Sequence, residues 1–344
     1  MADHRSGAAP SGGRVGVVGA GAVGAAATLA MIQRGSCRQI VLVDKNTERA
    51  RGVALDMSYG APLSPTVDVF AGDYAQLAGT DLVVVTAGAN ERTGGATDRS
   101  DPEGRLRLLD TNAAVYRDVV PRIVEHAPDA VVMVVTDPPD PLADLTRELV
   151  GHDRVFSTGT LIDSLRFRVH LARRLGVRPS DVDALVVGEH GTSEVLLWSS
   201  ATVAGLSATD LLAEHGHDLD EVREQVENEI RFANIDIIEG TGASQYGIGA
   251  VTARLAEAVL RDEHAALPVA AYHPDHGVTL SLVSVLGRHG VERMHHPRMT
   301  EDEHAALLRS AEALRTATRR CRTSARSAPT TTTSRRTATG SEHR

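Results

Sequence analysis

Aromatic residues are scarce in this chain: four Phe, one Trp and five Tyr make up 3% of 344 residues. With apolar residues at 42%, a core must be assembled mainly from Ala, Val and Leu, which suits buried parallel strands covered by helices. Cysteine is scarcer still. Cys37 and Cys321 are the two in the chain, too few for a disulfide framework and with no Cys-x-x-Cys pair for metal or redox chemistry. No apolar run approaches the roughly 18–20 residues that a membrane helix needs, and the polar, Gly/Ala/Ser-rich residues 1–13 lack the apolar centre of a signal peptide. Positive charge is in deficit as well. A net charge of -9 argues against a dedicated nucleic-acid binder. The expectation is a soluble, untargeted chain in the cytoplasm, with a disordered N-terminus over 1–13.

The length allows about two domains at roughly 150 residues each. From residue 14 to 157, short β-branched runs at 15–18, 40–43, 67–70, 82–86 and 131–135 alternate with longer amphipathic stretches, which predicts an α/β unit with a doubly wound parallel sheet. Residues 158–318 change order and read as a separate α+β substrate domain. Helices are predicted near 161–175, 220–238 and 246–261, and strands near 185–187, 195–203, 267–272 and 278–286. A last helix opens at a capping box, Thr300 with Glu303, and carries Leu307, Ala311 and Leu314 at helical spacing. From 319 to 344 the composition turns to seven arginines, one acid and four consecutive threonines at 330–333. Such a segment buries too little to offset its ordering entropy and reads as a disordered basic tail.

The first chemical signal is the turn Gly19-Ala20-Gly21-Ala22-Val23-Gly24, placed between the first strand and a helix predicted over 22–33. Gly19 allows the tight turn, Gly21 lets the backbone approach a pyrophosphate, and Gly24 lets the helix pack close on the strand. Asp44 closes the second strand twenty residues after Gly24. Its carboxylate accepts from an adenosine ribose and repels a 2′-phosphate, favouring NAD over NADP. Lys45 and Arg49 stand nearby. Downstream, Gly188-Glu189-His190-Gly191 offers a proton carrier that works near neutral pH, and Asp163-Ser164-Leu165-Arg166 offers an acid to orient it and a planar cation that matches a carboxylate.

These motifs and their order resemble the lactate/malate dehydrogenase family. Gly-Thr-Leu-Ile-Asp163-Ser-Leu-Arg166-Phe-Arg168 and Gly-Glu-His190-Gly are most similar to its L-lactate dehydrogenase branch. The resemblance implies an N-terminal Rossmann fold and an NAD-dependent 2-hydroxy acid dehydrogenase. His190 is then the general acid/base, Asp163 its orienting partner, Arg166 the holder of the substrate carboxylate, and Arg105 the lid arginine that polarises the carbonyl. The expected cofactor positions are Gly19, Gly21, Ala22, Val23, Gly24, Asp44, Thr86, Ala87, Gly88, Asn112 and Thr136. A homodimer or homotetramer is implied, with a small 2-oxo or 2-hydroxy acid as its partner and neither nucleic acid nor membrane. Malate dehydrogenase is the alternative within the class, and a catalytically impaired NAD-binding paralogue the alternative outside it.

The chain departs from the family's pattern in several places. Asp137 stands where the family usually has Asn, replacing a hydrogen-bond donor to the reacting oxygen with an acid that donates only when protonated. Weak activity, or activity falling with rising pH, is expected. The lid that includes Glu91 and Arg92 is longer than the common form. Glu91 aligns with the position that separates substrates, where its charge repels a second carboxylate, whereas a shifted register points Arg92 or Arg99 inward. Ser244 aligns with a Thr at the pocket floor and leaves more space. Asp183 stands where bisphosphate-activated relatives carry His, opposite Arg168, so activation by fructose 1,6-bisphosphate is not expected. Finally, His273, His276, His295 and His296 read as surface histidines without a carboxylate at ligand spacing, so no metal is expected.

Overall fold

The computed structural model describes residues 13–65, 67–90 and 104–323, without the side chains of 104–106 and 323. In the first half the β-branched runs form β1 (Arg14–Val18), β2 (Gln39–Val43), β3 (Asp68–Ala71), β4 (Leu82–Val85), β5 (Val131–Val134) and β6 (Val155–Ser157). These pair in parallel in the order β3-β2-β1-β4-β5-β6. Every residue of β4 and β5 is buried, so both faces of the sheet are covered and the strands are apolar throughout instead of alternating. Helices of this half supply part of the cover: α1 (Ala22–Arg34), α2 (Thr47–Gly60), α3 (Gly104–His126) and α4 (Pro139–Val150). The winding reverses between β1 and β4, and a crevice opens beyond their carboxyl ends, where Gly19 and Thr86 begin.

The second half contains α5 (Leu161–Leu175), β7 (Val182–Asp183), β8 (Val186–Val187), β9 (Val195–Leu196), β10 (Thr202–Val203), β11 (Leu206–Ser207), α6 (Ala208–Glu214), α7 (Leu219–Arg231), α8 (Ala233–Thr241) and α9 (Tyr246–Leu260). It continues with β12 (Ala265–Leu267), β13 (Ala270–His273), β14 (Val278–Ser281), β15 (Val283–Gly287), β16 (Gly290–His295) and α10 (Glu301–Thr323). Phe167 and Trp198 meet edge to face, with centroids 4.7 Å apart, inside a core that joins α5 to α7. A second core packs Leu307, Ala311 and Leu314 of α10 against β14.

Several sequence expectations need correction. The single strand expected over 195–203 is two short strands around a turn, Trp198–Ser200, because Trp198 turns into the core. The helix expected over 220–238 breaks at Phe232 into α7 and α8. The strand near 267–272 divides at Pro268, which has no N–H for a ladder, so that β12 pairs with β15 while β13 pairs with β14. The run 278–286 divides likewise. β6 was not expected, since three residues are too few to show a period. Nor do the two halves keep separate sheets: β13 and β14 extend the first sheet beyond β6, making it eight-stranded. The capping box forms, with Thr300 N–H donating to Glu303 and Glu303 N–H to Thr300. From it α10 runs past 318 to Thr323, held by buried Cys321 and by Arg320, whose guanidinium pairs with Asp110 at 2.9 Å.

Candidate active site

The site grows from two loops and one helix start. Asp163 lies in the first turn of α5, where a carboxylate complements the helix dipole, and is 1% exposed. His190 follows β8 on a loop pinned by Gly188, whose N–H and C=O both pair with Ser281 of β14 at 2.9 Å. The two side chains meet, His190 Nδ1 to Asp163 Oδ2, at 2.6 Å. The second oxygen of Asp163 accepts from Arg166 Nη1 at 2.9 Å. Nε2 of His190 is thereby turned away from Asp163 and lies 3.9 Å from Asp137 Oδ1.

Asp140 fixes the backbone beneath this arrangement. Fully buried in the first turn of α4, it accepts from the His190 N–H at 2.9 Å and from Ser157 Oγ at 2.6 Å. Burial raises its pKa to about 6, against the opposing pull of those two donors. Across the site Glu194 is also buried. Burial first, and the neighbouring charge of Asp163 second, push its pKa up to about 8.

Arg166, Asp163, His190 and Asp137 line one cavity of about 80 Å³, closed on the far side by Arg231, Asn234 and Ile238. Asn234 Oδ1 accepts from Arg166 Nη2 at 2.6 Å and from Ser244 Oγ at 3.3 Å. Ser244 therefore reaches Arg166 only through Asn234, and Asn234 stands on the floor where Ser244 was expected to leave space.

The positions expected to hold the cofactor lie around the crevice between β1 and β4. Gly19 has φ +112 and donates to Val43 C=O at 2.7 Å, a backbone form that other residues rarely adopt. A Cβ at Gly24 would fall 1.9 Å from the Gly19 carbonyl oxygen, so only glycine fits. At Gly21 the opposite holds: a Cβ would meet nothing within 4 Å, and Gly21 caps α1 without a side-chain bond. That open space before free helix N–H groups fits a dinucleotide pyrophosphate. Thr86 Oγ1 donates to Gly19 C=O at 2.8 Å, and Thr136 Oγ1 to Ala87 C=O at 3.0 Å. Asp44 accepts from Ala20 N–H at 2.7 Å and lies 3.3 Å from Arg49 Nη2, which occupies that cation. Asn112 is fully buried: its amide nitrogen donates to the Ala89 and Asp137 carbonyls and its oxygen accepts from Ala89 N–H, so it ties the two loops together.

Glu91, Arg92 and Arg99 lie outside the described residues. Arg105 falls in the first turn of α3, its side chain outside them too. Arg168 Nη2 lies 3.9 Å from Asp183 Oδ1 within the chain. The histidines differ from expectation. His273 is buried, and Asp275 stands with it and His296 so that one donor atom from each lies within 4.8 Å of the others. Among the described residues no helix is long and apolar enough to cross a membrane.

Residues 13–156 match the model of the lactate/malate dehydrogenase NAD binding domain, and residues 160–323 that of the lactate/malate dehydrogenase alpha/beta C-terminal domain. The chain belongs to the lactate/malate dehydrogenase family. It is 45% identical over 303 residues to an L-lactate dehydrogenase of Deinococcus radiodurans, covering 88% of this chain and 97% of the relative. An L-lactate dehydrogenase of Thermus aquaticus is 42% identical over 309 residues, with 88% and 97% covered. Among solved structures, a minor L-lactate dehydrogenase from Enterococcus mundtii superimposes with a TM-score of 0.83 at 32% identity, covering 90% of this chain and 98% of that one. This member of the lactate/malate dehydrogenase family is an NAD-dependent oxidoreductase acting on a CH–OH group.

Sequence reasoning missed Asp140, Glu194, Asn234 and Arg231 as components of this dehydrogenase site. Asp140 and Asp144 were visible as acids one helical turn apart in an apolar stretch, a pattern that places both on one buried face. Glu194 follows His190 by four residues on a loop with no period to read. Asn234 had no signal, because it reaches the cavity only through the break at Phe232.

Proposed function

We propose that this dehydrogenase interconverts a small 2-hydroxy acid and its 2-oxo acid, with L-lactate and pyruvate, or a bulkier monocarboxylate, as the substrate pair. The observation that carries the reading is the 2.6 Å contact between His190 and Asp163 beside the Arg166 guanidinium, all on one cavity. Bound NAD(H) supplies or accepts the hydride at the substrate carbon. Nε2 of His190 holds the proton that passes to the carbonyl oxygen in reduction and recovers it in oxidation. Asp163 accepts from Nδ1, which fixes the tautomer and stabilises the ring when it is charged. Arg166 keeps one further N–H on each terminal nitrogen beyond those given to Asp163 and Asn234, enough to hold a carboxylate at two points. Arg105 polarises the carbonyl from the start of α3. The names of the curated relatives support lactate and pyruvate.

One observation favours a second reading, malate and oxaloacetate: Arg231 adds another guanidinium to the cavity wall. A homotetramer or homodimer in the cytoplasm completes the proposal. Tyr59, Leu63 and Tyr246, 75%, 94% and 73% exposed, support association, and two buried free thiols suit a reducing compartment. The test is NADH oxidation with pyruvate, oxaloacetate and a panel of bulkier 2-oxo acids. Turnover of a monocarboxylate is expected. Preference for oxaloacetate would select the second reading, and NADH binding without turnover would mark an impaired paralogue.

A further inference from the structure

Away from the catalytic cavity, the turn between β13 and β14 reads His273-Pro274-Asp275-His276-Gly277, closed by His276 N–H and Gly277 N–H donating to the His273 carbonyl at 3.1 and 2.8 Å. The end of β16 brings His296 against it. The three imidazoles form a cluster: ring centroids are 4.8 Å apart for His273 and His276, 5.1 Å for His273 and His296, and 6.0 Å for His276 and His296. Asp275 completes a set with His273 and His296 whose donor atoms all lie within 4.8 Å of one another.

The polar atoms here are not accounted for by the protein itself. His273 is 7% exposed, yet its Nδ1 has no hydrogen-bond partner, and the buried Nε2 of His276 has none either. Burying such an atom without a partner is costly, so each is open to a partner from outside the chain, a water or a metal ion. Arg315, whose charge reaches His276, does not fill the role. Its guanidinium pairs with Glu312 at 2.7 Å and donates to the His276 carbonyl, leaving the rings free.

We propose that His273, Asp275 and His296, with His276 alongside, form a binding site for a divalent transition metal of the zinc class. Imidazole nitrogens with one carboxylate oxygen select zinc, cobalt or nickel over magnesium and calcium, which take oxygen ligands. Ligands about 2.0–2.2 Å from a tetrahedral zinc sit about 3.4 Å from one another. The donor set therefore contracts on binding, which the exposed side chains of Asp275 and His296 permit while buried His273 stays fixed. The metal would tie the β13–β14 turn to the end of β16. β14 continues from that turn to Ser281, the residue that pins Gly188 in the catalytic loop. The site is thus a structural staple behind the loop, distinct from the residues that line the cavity.

The experiment titrates cobalt(II) into the full-length protein, purified without a histidine tag and stripped with chelator. One equivalent is expected to bind with visible d–d absorption, and zinc(II) is expected to bleach it. His296→Ala and Asp275→Asn change exposed side chains and should each weaken binding at least about tenfold. Zinc(II) should raise the thermal midpoint of the unaltered protein and not that of His296→Ala. His264→Ala, in an unrelated cluster with Asp262 and Glu292, should leave the titration unchanged. Failure to bind one equivalent, or binding that neither His296→Ala nor Asp275→Asn weakens, would overturn the proposal.

Discussion

His190 Nδ1 lies 2.6 Å from Asp163 Oδ2, and the carboxylate that receives it is almost wholly buried. Such a contact leaves Nε2 as the nitrogen that faces the cavity. Replacing Asp163 by Asn keeps the shape but allows the opposite tautomer, in which Nε2 carries the wrong proton state for its task. Asp163→Asn should lower kcat with pyruvate by about 10²–10⁴-fold while NADH affinity stays within a few-fold. A variant with near-normal kcat would show that Asp163 has only a packing role.

Asp137 stands 3.9 Å from His190 Nε2 on the wall of the cavity, an acid where the proposed reaction calls for a donor to the substrate oxygen. An amide there supplies a hydrogen bond of the kind worth about 2.7–4 kcal/mol of barrier. Asp137→Asn should raise kcat, by as much as about 10²-fold, read as steady-state NADH oxidation. An unchanged or lower rate would mean that Asp137 is matched to the site as it stands.

Asn234 holds Arg166 from the side and closes the floor of the cavity. Asn234→Ala removes that contact and enlarges the space. The ratio of kcat/KM for a longer 2-oxo acid over pyruvate should rise by about tenfold, the range associated with one or two methylenes in a pocket. No change in that ratio would place the specificity boundary elsewhere.

Glu194 makes stability depend on pH. Its pKa in the folded chain, about 8, lies above the ordinary 4.5. Between those values the folded state keeps a proton that the unfolded state has released. Stability is therefore lost as pH rises through this window. Glu194→Gln cannot ionise and should show a smaller fall in thermal midpoint between about pH 5.5 and pH 8. Equal slopes for the two proteins would contradict the raised pKa.

Much of this was legible in the sequence because it depends on local rules. The Gly19–Gly24 turn needs glycine for steric reasons that act within a few residues, and α5 begins and ends where its residues predicted. His190 and Asp163 were legible by residue type as a proton carrier and an orienting acid, but their roles rested on family resemblance, since 27 positions separate the two along the chain. What stayed hidden depends on long-range packing. β13 and β14 join a sheet begun more than a hundred residues earlier, Phe232 breaks a helix whose period runs on, and Asp275 of the β13–β14 turn stands with His296 past the end of β16, in another sheet. No window of sequence contains both halves of those contacts.

The most direct test of the central claim is NADH oxidation with pyruvate by His190→Asn beside the unaltered protein, with NADH binding followed by fluorescence. If His190 carries the proton, turnover falls at least about 10²-fold with NADH affinity preserved. Turnover retained within a few-fold would contradict the assignment and the relay built on it.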